Sequence, residues 1–135
     1  MSTSLKNTTI LVVDDDADIC ELLRSVLEDA GASVVVAQSA RAALDVFRQY
    51  PPHAVVADIR LGSSDGYALV ETIREFNLEY KGFTPVVAVT GFASRADEER
   101  AKTAGFNAYI TKPFDPADVI SAIARLLPGQ ADPAA

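Results

Sequence analysis

Short apolar runs alternate along the chain with longer segments in which apolar residues recur every three or four positions. A continuous apolar run between turn residues is typical of a strand buried on both faces, whereas the longer spacing is typical of an amphipathic helix. The five runs that we interpret as strands cover residues 10–13, 33–37, 54–57, 86–89 and 108–111. Strands that alternate with helices in this way predict an α/β domain whose mainly parallel sheet is covered by helices on both sides.

Capping and turn residues mark the boundaries of the predicted helices. Gly31 stands where the first helix would end, and Ser39 and Asp115 are suitable N-caps for the second and the fifth helix. The third helix begins at about Gly66 and gives way to a polar connector over residues 77–85. These signals predict five helices, one after each strand.

The predicted fourth helix, residues 94–104, has few apolar side chains. The candidates for its inner face are all alanines, namely Ala93, Ala96, Ala101 and Ala104. Because a helix that buries little apolar surface opens at low cost, we expect this helix to shift more easily than the others.

The composition is that of one domain. The chain has 135 residues, of which 49% are hydrophobic, and this is enough for a single core. We expect the domain to cover residues 10–127, between a flexible leader at 1–9 and a flexible tail at 128–135.

The formal net charge of −7 disfavours direct binding to nucleic acid or to a membrane, so proteins and cations are the expected partners. A single cysteine, Cys20, excludes an internal disulfide, and the apolar runs are too short for a membrane span or a signal peptide, which predicts a cytoplasmic protein.

Four of the five predicted strands end in residues suited to phosphoryl chemistry. Asp14 and Asp15 follow the first strand, Asp58 the third, Thr90 the fourth and Lys112 the fifth. This pattern fits the flavodoxin-like strand order 2-1-3-4-5, in which the second strand lies at the edge and the other four are neighbours. The sequence therefore predicts that these side chains converge in one crevice at the carboxyl ends of the strands.

Three carboxylates in one crevice favour a divalent cation, because each close pair repels by ~4 kcal/mol at a surface-like dielectric. Magnesium is the expected ion, since it prefers oxygen ligands and retains water molecules. We expect Asp15, Asp58 and the backbone carbonyl of Arg60 to bind the metal directly, and Asp14 to hold a metal-bound water. Asp58 is also the expected nucleophile, because a carboxylate can form an acyl phosphate.

The two remaining side chains would assist that reaction. Lys112 would neutralise a phosphoryl oxygen as a point charge, and the hydroxyl of Thr90 would donate a hydrogen bond to another.

These motifs together resemble the receiver domain of two-component response regulators, over residues 10–127. The matching segments are ILVVDDD with the acidic pair, VVADIRLGSSDG with Asp58, VVAVTG with Thr90 and YITKPF with Lys112. Each segment alone would be a weak signal, whereas their joint occurrence is specific.

The resemblance implies a flavodoxin-like (βα)5 sandwich that is phosphorylated on Asp58, with Mg²⁺ as cofactor and Mn²⁺ able to substitute. The donor would be a histidine kinase or a histidine phosphotransferase. Thr90 and Tyr109 would be the switch residues, and the face of the fourth helix, fifth strand and fifth helix would change its preference for a downstream target protein. The protein would be a phosphoacceptor rather than an enzyme. It would assist its own phosphorylation, and it would also assist its own autodephosphorylation, which would be slow. We expect a stand-alone receiver, although similar receivers also occur fused to kinases.

Two other functions stay open from the sequence. A small Mg²⁺-dependent phosphatase of the haloacid dehalogenase type would use Asp14 as nucleophile within the motif Asp14-x-Asp16. The downstream acidic metal pair of that family is missing, however, and Asp58 would have no role. A binding module that works without phosphorylation would keep the same fold.

Several residues also have simpler interpretations. Asp16 is expected to cap the first helix, His53 to lie at the surface or a boundary, and Cys20 to pack inertly beside the first helix.

Overall fold

The computed structural model describes residues 4–61, 64–91 and 94–127. Within these residues, five strands form one parallel sheet: β1 (Thr9–Val13), β2 (Ser33–Ala37), β3 (Ala54–Ala57), β4 (Val86–Thr90) and β5 (Ala108–Thr111). The helices are α1 (Ala17–Asp29), α2 (Ala40–Gln49), α3 (Gly66–Tyr80), α4 (Arg95–Ala104) and α5 (Pro116–Leu126). The strand order is β2-β1-β3-β4-β5, so the predicted flavodoxin-like topology is confirmed.

The register of the strands brings their carboxyl ends level with one another. Val13 of β1 pairs with Ala37 of β2 and with Ala57 of β3, and Thr90 of β4 pairs with Thr111 of β5. The residues that directly follow β1, β3 and β5 therefore begin their loops at the same edge of the sheet.

The core consists of two apolar layers, one on each face of the sheet. Leu11 and Val13 face the layer that includes residues of α2, α3 and α4, whereas Ile10 and Val12 face the layer formed with α1 and α5. All four side chains are essentially inaccessible to solvent. Successive residues of a strand point to opposite faces of the sheet, and helices cover both faces. Every position in the strand is therefore buried, which explains the continuous apolar runs.

One residue of the segment that we expected to be a flexible leader, residues 1–9, packs into the core. Leu5 is fully buried, and its N–H donates to the carbonyl of Ala30 at 2.7 Å, while β1 already begins at Thr9. An isolated apolar residue in a polar segment has no periodicity, so its position in the core beside the end of α1 could not be predicted from the pattern. Residues 1–3 and the predicted tail at 128–135 lie outside the described residues.

Two local features differ from the prediction as well. Helix α3 continues to Tyr80, because Asn77, assigned to a polar connector, is buried and binds the backbone N–H of Thr84 through its side chain. After β3, the segments Arg60–Leu61 and Ser64–Asp65 form a short antiparallel pair that the sequence did not predict.

The predicted caps are confirmed, and so is the sparse packing of α4. The side chains of Asp16, Ser39 and Asp115 each accept a backbone N–H in the first turn of α1, α2 and α5. Of the described residues 95–104 that form α4, Ala101 alone is buried. Ala93, which we expected on the same face, lies outside the described residues.

Among the described residues, no helix has both the length and the apolar character that are needed to cross a bilayer. The longest of them, α3, has 15 residues.

Gly66, the first residue of α3, packs directly on the backbone that carries Asp58. A Cβ atom at this position would lie 2.5 Å from the carbonyl oxygen of Asp58 and 2.7 Å from that of Ile59. The N–H of Gly66 also donates to the carbonyl of Ile59 at 2.8 Å. A glycine is therefore required for α3 to start this close to the end of β3.

We expect Gly66→Ala to lower the free energy of unfolding by about 2 to 3 kcal/mol, because the added methyl group forces the start of α3 away from β3. Gly82→Ala is the matched control, since a Cβ there meets nothing within 4 Å. Urea titration of the three proteins measures the effect. Equal losses in the two variants would show that the contact at Gly66 is relaxed at little cost.

Candidate phosphoacceptor and metal site

Lys112 joins the ends of three strands through its ammonium group. Its Nζ lies 2.9 Å from Oδ2 of Asp14 and 2.9 Å from Oδ2 of Asp58. The carboxylates follow β1 and β3, and the lysine follows β5. The predicted convergence of these three residues at one edge is what the coordinates show.

The backbone extends the sheet into each of these residues. The N–H of Asp58 donates to the carbonyl of Val13, and the N–H of Lys112 donates to the carbonyl of Thr90, at 2.9 and 2.8 Å. The N–H of Asp14 donates to the carbonyl of Ala37 at 3.2 Å. The side chains therefore project from backbone that the strand ladder holds in place.

The second oxygen of each carboxylate is also bound. Oδ1 of Asp14 accepts the N–H of Asp16 at 2.9 Å, and Oδ1 of Asp58 accepts the N–H of Arg60 at 3.2 Å. Because each carboxylate is held through both oxygens, its orientation is fixed before any ligand arrives.

Asp14, Asp15 and Asp58 have the arrangement of a cation site. Each offers a carboxylate oxygen, and these oxygens lie within 4.8 Å of one another. Asp14 and Asp58 are buried, with 2% and 8% of their surface exposed, whereas Asp15 is exposed. Hard oxygen donors with one side open to water suit Mg²⁺, which binds few carboxylates and keeps several waters. The residues present therefore fit the predicted metal.

Burial and the close charges shift two ionisation equilibria in the site. Burial raises the pKa of Asp14, and the charge of Asp58 adds to this, although hydrogen bonds from Asp16 and Lys112 act in the opposite direction. Burial alone would lower the pKa of Lys112, but its bonds to Asp58 and Asp14 outweigh that effect and the pKa is raised. Lys112 therefore remains an ammonium ion at neutral pH.

Thr90 and Tyr109 lie on neighbouring strands and on the same face of the sheet. Thr90, fully buried at the end of β4, pairs with Thr111, and Tyr109 pairs with Ala88, two residues before Thr90. Paired residues on parallel strands share a face, and so do residues two apart, which places both side chains toward α4. Tyr109 is half-buried.

The environment of Tyr109 connects it to both α4 and the carboxylates. Burial raises the pKa of its hydroxyl group, and the charges of Asp97, Glu98 and Asp58 raise it further, as does Tyr67.

The geometry adds detail that sequence reasoning missed. We expected Lys112 to bind a phosphoryl oxygen and Asp14 to bind a metal-bound water. In the structure, Lys112 forms ion pairs with both Asp14 and Asp58. Arg60 lies beside the site, where its N–H binds Asp58, and the role of its carbonyl as a metal ligand stays a prediction. The dipeptide Asp65-Gly66 was the available signal for the close approach of α3 to β3.

His53 and Cys20 take the simpler roles that we expected. His53 is exposed at the start of β3, at the end remote from Asp58, where its Nδ1 accepts the N–H of Thr9 at 2.9 Å. Cys20 is buried, its Sγ donates to the carbonyl of Asp14 at 3.2 Å, and burial raises the pKa of its thiol. Neither residue contributes a side chain to the carboxylate cluster.

Residues 10–124 match the family described as "Response regulator receiver domain". The "Uncharacterized 14.6 kDa protein in sodA1 3′ region" of Leptolyngbya boryana is 42% identical over 118 residues, which are 87% of this chain and 88% of that protein. The polar-differentiation response regulator DivK of Brucella ovis is 32% identical over 106 residues, which are 78% of this chain and 85% of DivK.

Solved structures of similar sequence have the same fold. The chemotaxis protein CheY4 of Vibrio cholerae aligns with a TM-score of 0.81 at 28% identity, over 89% of this chain and 98% of CheY4. A CheY-like receiver domain protein of Methanospirillum hungatei aligns with a TM-score of 0.77 at 32% identity, over 89% of this chain and 91% of that protein. With a family match over most of its length, this fold, and the cluster of Asp14, Asp58 and Lys112, the chain belongs to the response regulator receiver domains of two-component signal transduction.

Proposed function

We propose that Asp58 accepts a phosphoryl group from a phosphohistidine of a partner histidine kinase or phosphotransferase, in a Mg²⁺-dependent reaction in the cytoplasm. The observation that carries this proposal is the ammonium of Lys112, 2.9 Å from the carboxylates of both Asp14 and Asp58. A nucleophile, a fixed cation and a set of metal ligands in one place are the groups that phosphoryl transfer requires.

The transfer exchanges one bond to phosphorus for another. An oxygen of Asp58 forms the new O–P bond while the P–N bond of the phosphohistidine breaks, and the leaving imidazole keeps the electron pair and takes up a proton. Lys112 neutralises the charge on one phosphoryl oxygen, and the hydroxyl of Thr90 donates a hydrogen bond to another.

The metal would be held by Asp15, Asp58 and the carbonyl of Arg60 directly and by Asp14 through water. When bound, Mg²⁺ supplies electrostatic stabilisation of the phosphoryl oxygens. Mn²⁺ has similar ligand preferences and is expected to substitute.

Asp58 is a better nucleophile than Asp14 in this arrangement. Only 2% of the surface of Asp14 is exposed, against 8% for Asp58, so Asp58 is the more accessible of the two carboxylates to a phosphoryl donor. Asp16, which a dehalogenase-type phosphatase would need beside Asp14, caps α1 by accepting the N–H groups of Asp18 and Ile19. These observations favour phosphoacceptor chemistry at Asp58 over phosphatase chemistry at Asp14.

The signal would leave through the face formed by α4, β5 and α5. Thr90 moves toward the transferred group, Tyr109 turns inward behind it, and the face then changes its affinity for a target protein. The sparse packing of α4, with Ala101 as the buried residue of 95–104, supports this helix as the part that moves.

Acetyl phosphate with Mg²⁺ should label wild-type protein on Asp58. Borohydride reduction followed by peptide mass spectrometry locates the acyl phosphate. We expect no labelled species from Asp58→Asn, and a label that still maps to Asp58 in Asp16→Asn, which keeps an oxygen for the helix cap. A label on Asp14 would support the phosphatase, and no label at all would support a binding module that works without phosphorylation.

Asp15 is expected to carry the metal dependence of stability. Mg²⁺ at about 100 times its Kd should raise the free energy of unfolding of the wild type by about 2.7 kcal/mol. Asp15→Asn should lose this increment, whereas Asp16→Asn, which removes a neighbouring charge and retains the cap, should keep it. Urea titrations with and without Mg²⁺ measure the increments. An undiminished increment in Asp15→Asn would remove Asp15 from the ligand set.

Replacing Lys112 by Met should lower the free energy of unfolding by about 3 kcal/mol at pH 7, because two buried carboxylates lose their cation. The loss should shrink as the pH falls. Protonation of Asp14, whose pKa is already raised, removes one of the two uncompensated charges, and a group with a raised native pKa stabilises the fold below that pKa. Unfolding of both proteins at pH 7 and near pH 4.5 checks this expectation, and a loss independent of pH would contradict it.

A further inference from the structure

Arg74 of α3 fastens the C-terminal end of α4. Its Nε and Nη2 donate to the carbonyl of Gly105 at 3.0 and 2.8 Å, and its Nη1 donates to the carbonyl of Thr84 at 2.7 Å. Its Nη2 also donates to Oδ1 of Asn107, which in turn accepts the N–H of Val86 at 2.9 Å. One half-buried guanidinium thus joins the end of α4 to α3 and to the start of β4.

The contact at Gly105 is also close in shape. Gly105 ends α4 with φ of +123°, and a Cβ at this position would lie 3.0 Å from Cγ of Arg74. Both the backbone conformation and the space beside it favour glycine at this point.

The rest of α4 has far fewer restraints. Ser94 caps the helix at an exposed position, and the inner face buries Ala101 among residues 95–104. In the middle of the helix, the guanidinium of Arg100 lies 4.1 Å from the centre of the Tyr67 ring, a cation–π geometry.

Tyr67 is itself tied to the site. It is buried, packs edge-on against Phe106 with ring centres 6.3 Å apart, and directly follows Gly66, which contacts the carbonyl of Asp58. The ring that Arg100 covers therefore has a fixed position relative to Asp58.

We propose that α4 pivots about Gly105, where Arg74 holds it, and that the Arg100–Tyr67 contact is the releasable restraint on the N-terminal part of the helix. Each guanidinium joins α4 to α3, because Arg74 projects from α3 to the end of α4 and Arg100 projects from α4 to Tyr67 at the start of α3, but the two contacts differ in strength. Arg74 is half-buried and makes several hydrogen bonds, whereas Arg100 is exposed and, among the residues that the structure describes, contacts the Tyr67 ring. The regulatory meaning of this pivot rests on the proposed function, but the restraint itself does not.

Hydrogen exchange of wild-type protein, Arg100→Gln and Lys102→Gln tests the restraint. Gln keeps the helix propensity, and Lys102 is an exposed cation on the same helix, so the comparison isolates the ring contact. Exchange of the backbone N–H groups of residues 98–101 should rise about 2- to 5-fold in Arg100→Gln, the factor that corresponds to one exposed cation–π contact. The N–H groups of Phe106 and Asn107 should keep their wild-type rates, and Lys102→Gln should show a smaller change.

Further variants separate the two halves of the proposal. Tyr67→Leu should give the same increase at 98–101, with no further increase in the double variant with Arg100→Gln. Arg74→Lys, which keeps the charge and loses the fork of donors, should raise exchange at residues 105–107, with its stability followed by urea titration. If Arg74→Lys does not fold, the Arg100 comparison alone decides.

Unchanged exchange at 98–101 in Arg100→Gln would overturn the restraint, and an equal increase at Phe106 and Asn107 would overturn the pivot. Labelling of Asp58 by acetyl phosphate is a separate measurement on the same variants. Failure of the pivot and failure of the phosphoacceptor proposal are thereby distinguished.

Discussion

The ion pairs of Lys112 with Asp14 and Asp58 are the interaction on which the site depends. They require the ends of β1, β3 and β5 to be level, which the register provides through backbone bonds to Val13, Ala37 and Thr90. Without Lys112, the two carboxylates would be buried beside each other with no cation to offset their charges, at a cost of about 3 kcal/mol. Because one ammonium holds both, their positions are coupled, and a change in charge at Asp58 is felt at Asp14 and at the end of β5.

The sequence predicted most of the fold and the centre of the site, for one physical reason. Strands buried on both faces read as uninterrupted apolar runs, so a charged residue at the end of such a run marks where the chain leaves the sheet. In a parallel sheet those points share one edge, and this is why Asp14, Asp58 and Lys112 could be placed together from their positions alone. The caps at Asp16, Ser39 and Asp115 were predictable for a similar reason, since they are local to their helices.

The parts that could not be predicted are contacts between distant residues without a periodic pattern. Leu5 packs against the end of α1 as a single apolar residue, and Asn77 extends α3 because its partner, Thr84, returns beside it. Arg74 and Arg100 look alike in the sequence, as cations on amphipathic helices. Their different roles depend on what α3 and the residues after α4 bring near them, namely the carbonyl of Gly105 for one and the ring of Tyr67 for the other.

Charge balance gives a physical reason for the site to transmit its modification. A doubly charged metal, if bound as proposed, and one ammonium would neutralise three carboxylates, whereas an acyl phosphate on Asp58 would add about one further negative charge. Because Lys112 already forms ion pairs with Asp14 and Asp58, the added phosphoryl oxygens would need another hydrogen-bond donor. The hydroxyl of Thr90 is suitably placed, since Thr90 is the last residue of β4, which lies between β3 and β5. In the proposed switch, a shift of Thr90 toward these oxygens would open space on the face that holds Tyr109 and α4. Since α4 is held strongly at Gly105 and weakly elsewhere, the rearrangement would propagate into the N-terminal part of this helix rather than into the sheet.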